Sequence, residues 1–299
     1  MIDVPELFVR ETVRREGDTG ERWIATLPGL VEELLEKWAC TPTGPVMHGK
    51  VGVVVPVRRH DGSPAVLKVS FPHPGNVDEP TAYAAWAGRG AVCLYERDDA
   101  RFAMLLERVE QTTLVEIEDD DEAAAVCGRL TRLLAVPAPP GLRRLSDRAE
   151  EQERELSTAS QTLISHVPRR VVDAALATIR ELGREQPETL VHGDLHYTNV
   201  VRANREPWLV IDPKGFAGDP ANDAFSVVVG SAQRQVAVDD LCRQLRRRLA
   251  IFADAAELER ERVIRWAQAH SLLHACWARN ASDPEGTAAL AERVAAVLT

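Results

Sequence analysis

The sequence predicts an α+β protein of two lobes: a small antiparallel-sheet lobe with one helix, followed by a larger, mainly helical lobe. The chain has 299 residues, of which 45% are hydrophobic, and this is enough for two buried cores. Strand-like runs dominate the chain before residue 110, and helical periodicity dominates after it. We therefore divide the chain into residues 1–109 and 110–299.

In the first lobe, an amphipathic helix precedes the order strand, strand, helix, strand, strand. Asp61-Gly62 separates the first two strand-like runs and is a strong hairpin turn signal. The predicted elements are helices at Leu30 to Ala39 and Thr81 to Ala87, and strands at Val51 to Arg58, Ala65 to Phe71, Ala91 to Tyr95 and Ala103 to Glu107.

In the second lobe, residues 111–190 are helical in pattern except at the proline-rich turn 136–141. Residues 190–212 contain two short apolar runs around a polar loop. The pattern is helical again from about residue 222 to the end.

The net charge of −10 makes nucleic acid an improbable partner, because a nucleic-acid binder needs a basic surface. An acidic surface suits a cationic ligand, although it also simply keeps a protein soluble. The five cysteines lack CxxC spacing and predict neither a zinc site nor a disulfide framework. The charged N-terminus resembles neither a signal peptide nor a membrane anchor, so we expect a cytoplasmic protein.

The segment VHGDLHYTNVV at 191–201, followed by LVIDPKG at 209–215, has the side chains that phosphoryl transfer requires. Asp194 lies in a polar loop after an apolar run, where a carboxylate can orient an attacking hydroxyl. Asn199 and Asp212 supply hard oxygen ligands of the kind that Mg²⁺ prefers. The HxxxH spacing of His192 and His196 would suit zinc on a helix, but Gly193 argues against a helix there.

These motifs resemble those of the aminoglycoside phosphotransferase family, which has a bilobal protein-kinase-like fold. The sequence IDPKG and then GDPANDAF at 218–225 is most similar to the branch of streptomycin 6-phosphotransferases and hydroxyurea phosphotransferases. The resemblance extends over roughly residues 20 to 280 and includes the runs at 56–70, 87–98, 104–109 and 119–142.

The resemblance implies that Asp194 is the catalytic base, that Asn199 and Asp212 hold Mg²⁺, and that Lys68 contacts the α- and β-phosphates of ATP or GTP. Strand alternation independently places Lys68 and Val66 on one face, where Val66 offers an apolar surface to a base. Taken alone, Lys68 could also be a surface lysine of an edge strand.

Other nucleotide-binding candidates come from positions in the first lobe. Glu79 is the candidate partner of Lys68, although Pro80 suggests that Glu79 begins a helix rather than lying inside it. Gly49 belongs to the glycine-containing run 44–52, which is expected to cover the phosphates. The backbone of Glu107 and Val109 is expected to pair with adenine.

Several further side chains lie within or beside the central segment. We interpret His192 as a structural loop residue. Asp219 and Asp223 are interpreted as loop-organising carboxylates, and Asp223 could also order the catalytic loop. Lys214 could contact phosphate or product. His196 and Asp223 are further candidates for the acceptor site.

The acceptor site is expected on the helical lobe, where Trp266, His270, His274 and Trp277 recur on one helical face. The alternative is that this face, and its two tryptophans in particular, packs into the core. The acidic run 118–122 is expected to begin a helix and could attract cations.

The leading hypothesis is an ATP- and Mg²⁺-dependent O-phosphotransferase that inactivates streptomycin or a related aminoglycoside, acting as a monomer or homodimer on a cationic small molecule. The alternatives are a kinase of hydroxyurea, an amino sugar or another metabolite, and a pseudokinase that acts by interaction. The pseudokinase predicts loss of a catalytic residue, whereas Lys68, Asp194, Asn199 and Asp212 are all present.

Overall fold

The computed structural model describes residues 2–232, 238–280 and 286–299. The chain divides into two compact units, the first ending at Glu110 and the second beginning at Gln111. The helical pattern predicted for 233–237 and 281–285 lies outside the described residues. In the part that is described, no helix has the combination of length and hydropathy that spanning a membrane requires.

The first unit begins with two helices, α1 (Glu6–Glu16) and α2 (Asp18–Lys37). The sequence prediction missed α1 and the first half of α2, because this region is highly charged and its apolar positions are sparse. The first unit therefore has three α-helices among its described residues, and the sequence analysis predicted the last of them and the second half of α2. The third, α3 (Glu79–Trp86), ends at Ala87 in the left-handed conformation.

A six-stranded antiparallel sheet forms the centre of the first unit, in the order β1-β3-β4-β6-β5, with β2 also paired to β3. The predicted hairpin is present, and the last predicted strand has its predicted bounds. Strand β5 begins at Leu94, three residues after the predicted start at Ala91. The strands are β1 (Thr41–Pro42), β2 (Met47–His48), β3 (Gly52–Arg58), β4 (Pro64–Ser70), β5 (Leu94–Asp98) and β6 (Ala103–Glu107).

The two faces of this sheet have different environments. Leu67 and Val69 of β4 are fully buried and pack with Leu27 and Val31 of α2. Val66 and Lys68 alternate with them and therefore lie on the opposite face. The sequence analysis predicts that Lys68 contacts the nucleotide from this face.

The second unit is mainly helical, with two short antiparallel two-stranded sheets, β7–β10 and β8–β9. Helix α4 packs closely on α8: a Cβ added to Gly128 would lie 2.5 Å from the carbonyl oxygen of Phe252. The elements are α4 (Asp120–Leu134), α5 (Ala149–Leu163), α6 (Arg169–Thr178), β7 (Leu190–Val191), β8 (Val200–Arg202), β9 (Trp208–Val210), β10 (Phe216–Ala217), α7 (Phe225–Ala232), α8 (Val238–Ala256), α9 (Arg260–Asn280) and α10 (Thr287–Leu298).

Four of the five cysteines have described side chains. Cys40, Cys93, Cys127 and Cys276 are thiols rather than disulfides. The side chain of Cys242 lies outside the described residues. Burial raises the pKa of the Cys127 thiol to about 12, which makes it unreactive.

Candidate active site

The loop that follows β7 makes a sharp turn at Gly193, which has a φ of 75°. A Cβ added to Gly193 would lie 2.6 Å from Cδ2 of Phe216, because the aromatic ring packs directly on the glycine. Both the left-handed backbone and the ring therefore require glycine. The turn sets the direction in which the next residue, Asp194, leaves the sheet.

Asp223 holds this turn by accepting hydrogen bonds from two of its backbone N–H groups. Its Oδ2 accepts the His192 N–H at 3.1 Å, and its Oδ1 accepts the Gly193 N–H at 3.0 Å. Burial raises the pKa of Asp223 to about 7, although the two N–H donors act in the opposite direction. Since both carboxylate oxygens bind the loop, these contacts support the loop-ordering role of Asp223. Its assignment to the acceptor site stays a prediction.

His192 is buried and uses both ring nitrogens within the loop. Nε2 donates to the Ile211 carbonyl oxygen at 3.0 Å, and Nδ1 accepts the Asp194 N–H at 3.2 Å. Burial lowers the pKa of His192 to about 4, so the ring is neutral at pH 7. This arrangement agrees with the structural role and leaves no ring nitrogen for zinc.

Asp194 is partly exposed, and its two carboxylate oxygens have different partners. His196 Nε2 lies 2.6 Å from Oδ1, and Lys214 Nζ lies 3.4 Å from Oδ2. Burial raises the pKa of Asp194, but the hydrogen bond from His196 and the nearby positive charges outweigh burial and lower it to about 2. Asp194 is therefore ionised at neutral pH. His196, a candidate for the acceptor site in the sequence analysis, contacts this carboxylate.

Asn199 and Asp212 lie beside Asp194 at the ends of neighbouring strands. Asn199 Nδ2 donates to the Asp194 carbonyl oxygen at 2.9 Å, which leaves the amide oxygen as the end that can bind a cation. The Ile211 N–H donates to the Asn199 carbonyl oxygen at 2.9 Å. Asp212 has a φ of 57°, a strained conformation for a residue other than glycine and one that is frequent at functional sites.

These oxygen donors fit Mg²⁺. Mg²⁺ binds through one or two protein oxygens and completes its shell with water and phosphate. In the described ranges, no group of three or more His, Cys, Asp or Glu side chains could hold a metal ion. A site of one amide and one carboxylate agrees with this chemistry.

In the first unit, Lys68 and Glu79 form a buried ion pair with Nζ 2.5 Å from Oε1. Their side chains are 10% and 2% exposed. Glu79 is the first residue of α3, with Pro80 second, so the proline does not prevent the pair from forming.

The other predicted nucleotide contacts have unequal support. Gly49 lies in the turn between β2 and β3, where its N–H donates to the Gly52 carbonyl oxygen at 2.9 Å. Arg15 of α1, which the sequence analysis missed, donates to the Lys50 carbonyl oxygen in the same turn at 2.9 Å. The Glu107 N–H donates to the Cys93 carbonyl oxygen at 2.8 Å, so it does not offer a donor to adenine. Val109 follows the end of β6.

The four aromatic candidates on α9 do not form one equivalent face. Trp266 is 1% exposed, and its Nε1–H donates to Asp219 Oδ2 at 2.7 Å, so Trp266 belongs to the core as the alternative reading had it. Trp277 is 59% exposed, and core packing is wrong for this residue. Asp219 also accepts the Ala221 N–H at 3.0 Å, in agreement with its loop-organising role.

A cavity of about 150 Å³ lies beside Asp194 in the second unit. His270 faces it with Nε2 2.7 Å from Asn222 Oδ1, and burial lowers the His270 pKa to about 4, so Nε2 is the donor of a neutral ring. The sequence analysis missed Arg148 and Phe225, although Phe225 ends the quoted motif GDPANDAF. The lining residues are Leu145, Arg148, Gly193, Asp194, Leu195, His196, Asn222, Asp223, Phe225, Ser226 and His270.

Aromatic contacts continue from this cavity along α9. The Phe225 ring lies 5.9 Å from His270 and 5.7 Å from His274, between ring centroids. His274 stacks on Trp277 with centroids 5.5 Å apart. We call Phe225, His270, His274 and Trp277 the aromatic strip; it begins at the cavity and ends at an exposed indole.

Solved structures establish the fold class. The chain is similar to a choline/ethanolamine kinase family protein from Mesorhizobium loti, with 18% identity, a TM-score of 0.56 and coverage of 90% of this chain and 93% of that one. It is also similar to the aminoglycoside phosphotransferase APH(4)-Ia, with 15% identity, a TM-score of 0.53 and coverage of 91% and 98%. The protein thus has the protein-kinase-like fold that its motifs predicted.

Comparison with known sequences assigns the chain to one family within this fold class. Residues 37–282 match the family described as aminoglycoside/hydroxyurea antibiotic resistance kinase, and the chain belongs to this family of phosphotransferases. It is 38% identical to a streptomycin 6-kinase from Streptomyces glaucescens over 292 residues, covering 97% of this chain and 94% of the relative. It is 34% identical to a hydroxyurea phosphotransferase from Kitasatospora aureofaciens over 301 residues, covering 99% and 85%.

Proposed function

We propose that this protein is an ATP-dependent streptomycin kinase that transfers a phosphoryl group to a hydroxyl of the antibiotic and so inactivates it. The observation that carries the proposal is the position of the Asp194 carboxylate, on a loop that is hydrogen-bonded to Asp223 and beside the oxygen donor Asn199. The similarity to streptomycin 6-kinases supports the choice of acceptor.

Asp194 orients the acceptor hydroxyl for in-line attack and accepts its proton. A carboxylate with a low pKa is a weak base, but the transition state of phosphoryl transfer is loose and the proton can leave late. The required property is therefore position, which the bonds from Asp223 to the loop backbone supply.

The nucleotide and metal ligands are assigned from the family resemblance and from the contacts within each unit. Asn199 and Asp212 would hold Mg²⁺, and the ion would neutralise phosphate charge. Lys68, held by Glu79, would bind the α- and β-phosphates. Val66, the turn containing Gly49 and the chain from Glu107 to Val109 would bind the remainder of ATP, or of GTP.

The aromatic strip is our candidate for the acceptor surface. Indole and imidazole faces attract cationic nitrogen and the apolar face of a sugar ring. A multi-ring cation such as streptomycin could place its reacting ring at Asp194 and extend along the strip to Trp277. Trp266 takes no part, because it is buried.

Hydroxyurea is the second candidate acceptor. The cavity of about 150 Å³ beside Asp194 would hold a molecule of this size without contact to His274 or Trp277, the outer part of the strip. The hydroxyurea phosphotransferase relative supports the same candidate.

Measurement of ADP release with streptomycin, hydroxyurea and an amino sugar discriminates among these acceptors. We expect kcat/KM for streptomycin to exceed the others by roughly tenfold or more, because a matched site rejects analogues that leave its polar groups unpaired. A preference for hydroxyurea would contradict the strip as acceptor surface. Lack of turnover with every acceptor would favour the pseudokinase. We also expect a monomer or homodimer in the cytoplasm, which size-exclusion chromatography with light scattering and cell fractionation would test.

A further inference from the structure

The main chain of Lys214 is fixed against the catalytic loop. Its N–H donates to the His192 carbonyl oxygen at 2.8 Å, and its own carbonyl oxygen accepts Arg143 Nη2 at 3.2 Å. The Gly215 N–H also points to the His192 carbonyl oxygen, at 3.3 Å. These backbone hydrogen bonds give the main chain of Lys214 a defined position relative to the catalytic loop.

The side chain of Lys214 extends to the outer oxygen of the catalytic carboxylate. Nζ lies 3.4 Å from Asp194 Oδ2, and the Lys214 side chain is 31% exposed. The other oxygen, Oδ1, is already bound by His196. The ammonium is thus accessible to a ligand that approaches Asp194.

Distances in phosphoryl transfer bring the migrating group within reach of this ammonium. The attacking oxygen lies about 2.6–3.2 Å from its base and about 3–3.5 Å from phosphorus before reaction. A lysine has a flexible stem and three donors, so Nζ can turn from Asp194 to a phosphoryl oxygen. Negative charge on those oxygens is what a fixed cation stabilises during transfer.

We propose that Lys214 is a further catalytic residue, which contacts the equatorial oxygens of the migrating phosphoryl group; this rests on the proposed phosphotransferase function. The acceptor oxygen forms a bond to the γ-phosphorus while the bond from that phosphorus to the bridging oxygen breaks. The electron pair of that bond leaves with the nucleoside diphosphate, and the acceptor proton moves to Asp194. Lys214 remains protonated and exchanges Asp194 for the phosphoryl oxygens.

The alternative is that Lys214 acts only through Asp194, as a positioning residue. Binding of ADP, Mg²⁺ and aluminium fluoride separates the two, because the fluoride complex imitates the migrating group without turnover. We expect Lys214→Met to lower kcat by about 10²–10³. It should raise the dissociation constant of the fluoride complex by roughly tenfold or more, while that of MgADP changes less than about twofold. Lys214→Arg should restore part of both losses.

The decisive arm repeats the binding measurement in an Asp194→Asn background. Lys214→Met should still weaken the fluoride complex by roughly tenfold there, since the contact does not need the carboxylate. Three results would each overturn the proposal. The first is that Lys214→Met has no effect in the Asp194→Asn background, and the second is that Lys214→Met alone leaves the dissociation constant of the fluoride complex unchanged. The third is that the wild type binds the fluoride complex no more tightly than MgADP. Lys37→Met, at an exposed pair with Asp98, is the matched control, and equal thermal midpoints show that the variants are folded. If no acceptor is turned over, the proposed function fails while the binding arm still tests Lys214.

Discussion

Replacing Glu79 by Gln should destabilise the first unit and weaken nucleotide binding together. The Lys68–Glu79 pair is buried, with side chains 10% and 2% exposed and a separation of 2.5 Å. Removing one charge from such a pair costs about 3–5 kcal/mol, because the remaining charge stays in a poorly solvated site. Exposed pairs are worth below about 1 kcal/mol, so Lys37→Met, whose side chain is 50% exposed, is the matched control.

The functional part can be separated from the structural part with the double variant Lys68→Met, Glu79→Leu. Removing both charges should recover much of the unfolding free energy lost in Glu79→Gln, since apolar side chains of similar size tolerate this site. It should not recover nucleotide binding, because a charge-assisted phosphate contact worth about 1.5–3 kcal/mol is gone, or roughly 10- to 150-fold in Kd.

Urea unfolding followed by tryptophan fluorescence gives the stability term, and calorimetric titration with ATP gives the binding term. The m-value must stay constant for the comparison to hold. A loss of stability in Glu79→Gln no larger than that in Lys37→Met would contradict the buried ion pair as a source of stability. Wild-type ATP binding by the double variant would contradict the phosphate contact of Lys68.

Three further variants test the second unit. Burial raises the pKa of Asp223 from 3.8 to about 7. The stability that its protonated form contributes is therefore complete below about pH 4 and is lost as pH rises through 7. Asp223→Asn should make the unfolding free energy, measured with urea, less dependent on pH over that window. Gly193→Ala should abolish activity and lose more stability than Gly62→Ala. Both glycines have positive φ, but a new Cβ at Gly193 would lie 2.6 Å from the Phe216 ring, whereas one at Gly62 would have nothing within 4 Å. Equal losses of stability would argue against close packing at Gly193. Trp277→Ala should raise KM for streptomycin roughly threefold or more and leave KM for hydroxyurea unchanged, as lost cation–π contact at an exposed site predicts; equal effects on both acceptors would remove the strip from acceptor binding.

The sheet and the catalytic loop could be predicted because their signals are local. Alternating apolar residues and the Asp61-Gly62 turn define the hairpin, and its two strands lie within one residue of their predicted bounds. Helix α1 has few apolar residues and is stabilised by contacts with the sheet, such as those of Phe8. Its sequence has little periodicity of its own to detect.

The contacts that fix Asp194 could be predicted only in part, because they join distant positions. Asp223 binds a loop about 30 residues away, which a turn motif suggests but cannot assign. Trp266 and Trp277 share a helical face, yet one is buried and the other exposed. Helical periodicity describes direction around the axis, whereas burial also depends on which elements pack along it.

The most direct test is transfer of a radiolabelled γ-phosphate from ATP to streptomycin by the wild type and by Asp194→Asn. We expect kcat to fall by about 10²–10⁴ and the Kd for ATP to change less than about threefold, because the proposed role of Asp194 is to orient the acceptor hydroxyl. Asp173→Asn, at an exposed pair with Arg169, should retain wild-type transfer. Substantial transfer by Asp194→Asn together with a large loss of ATP affinity would contradict the proposed catalytic role of Asp194.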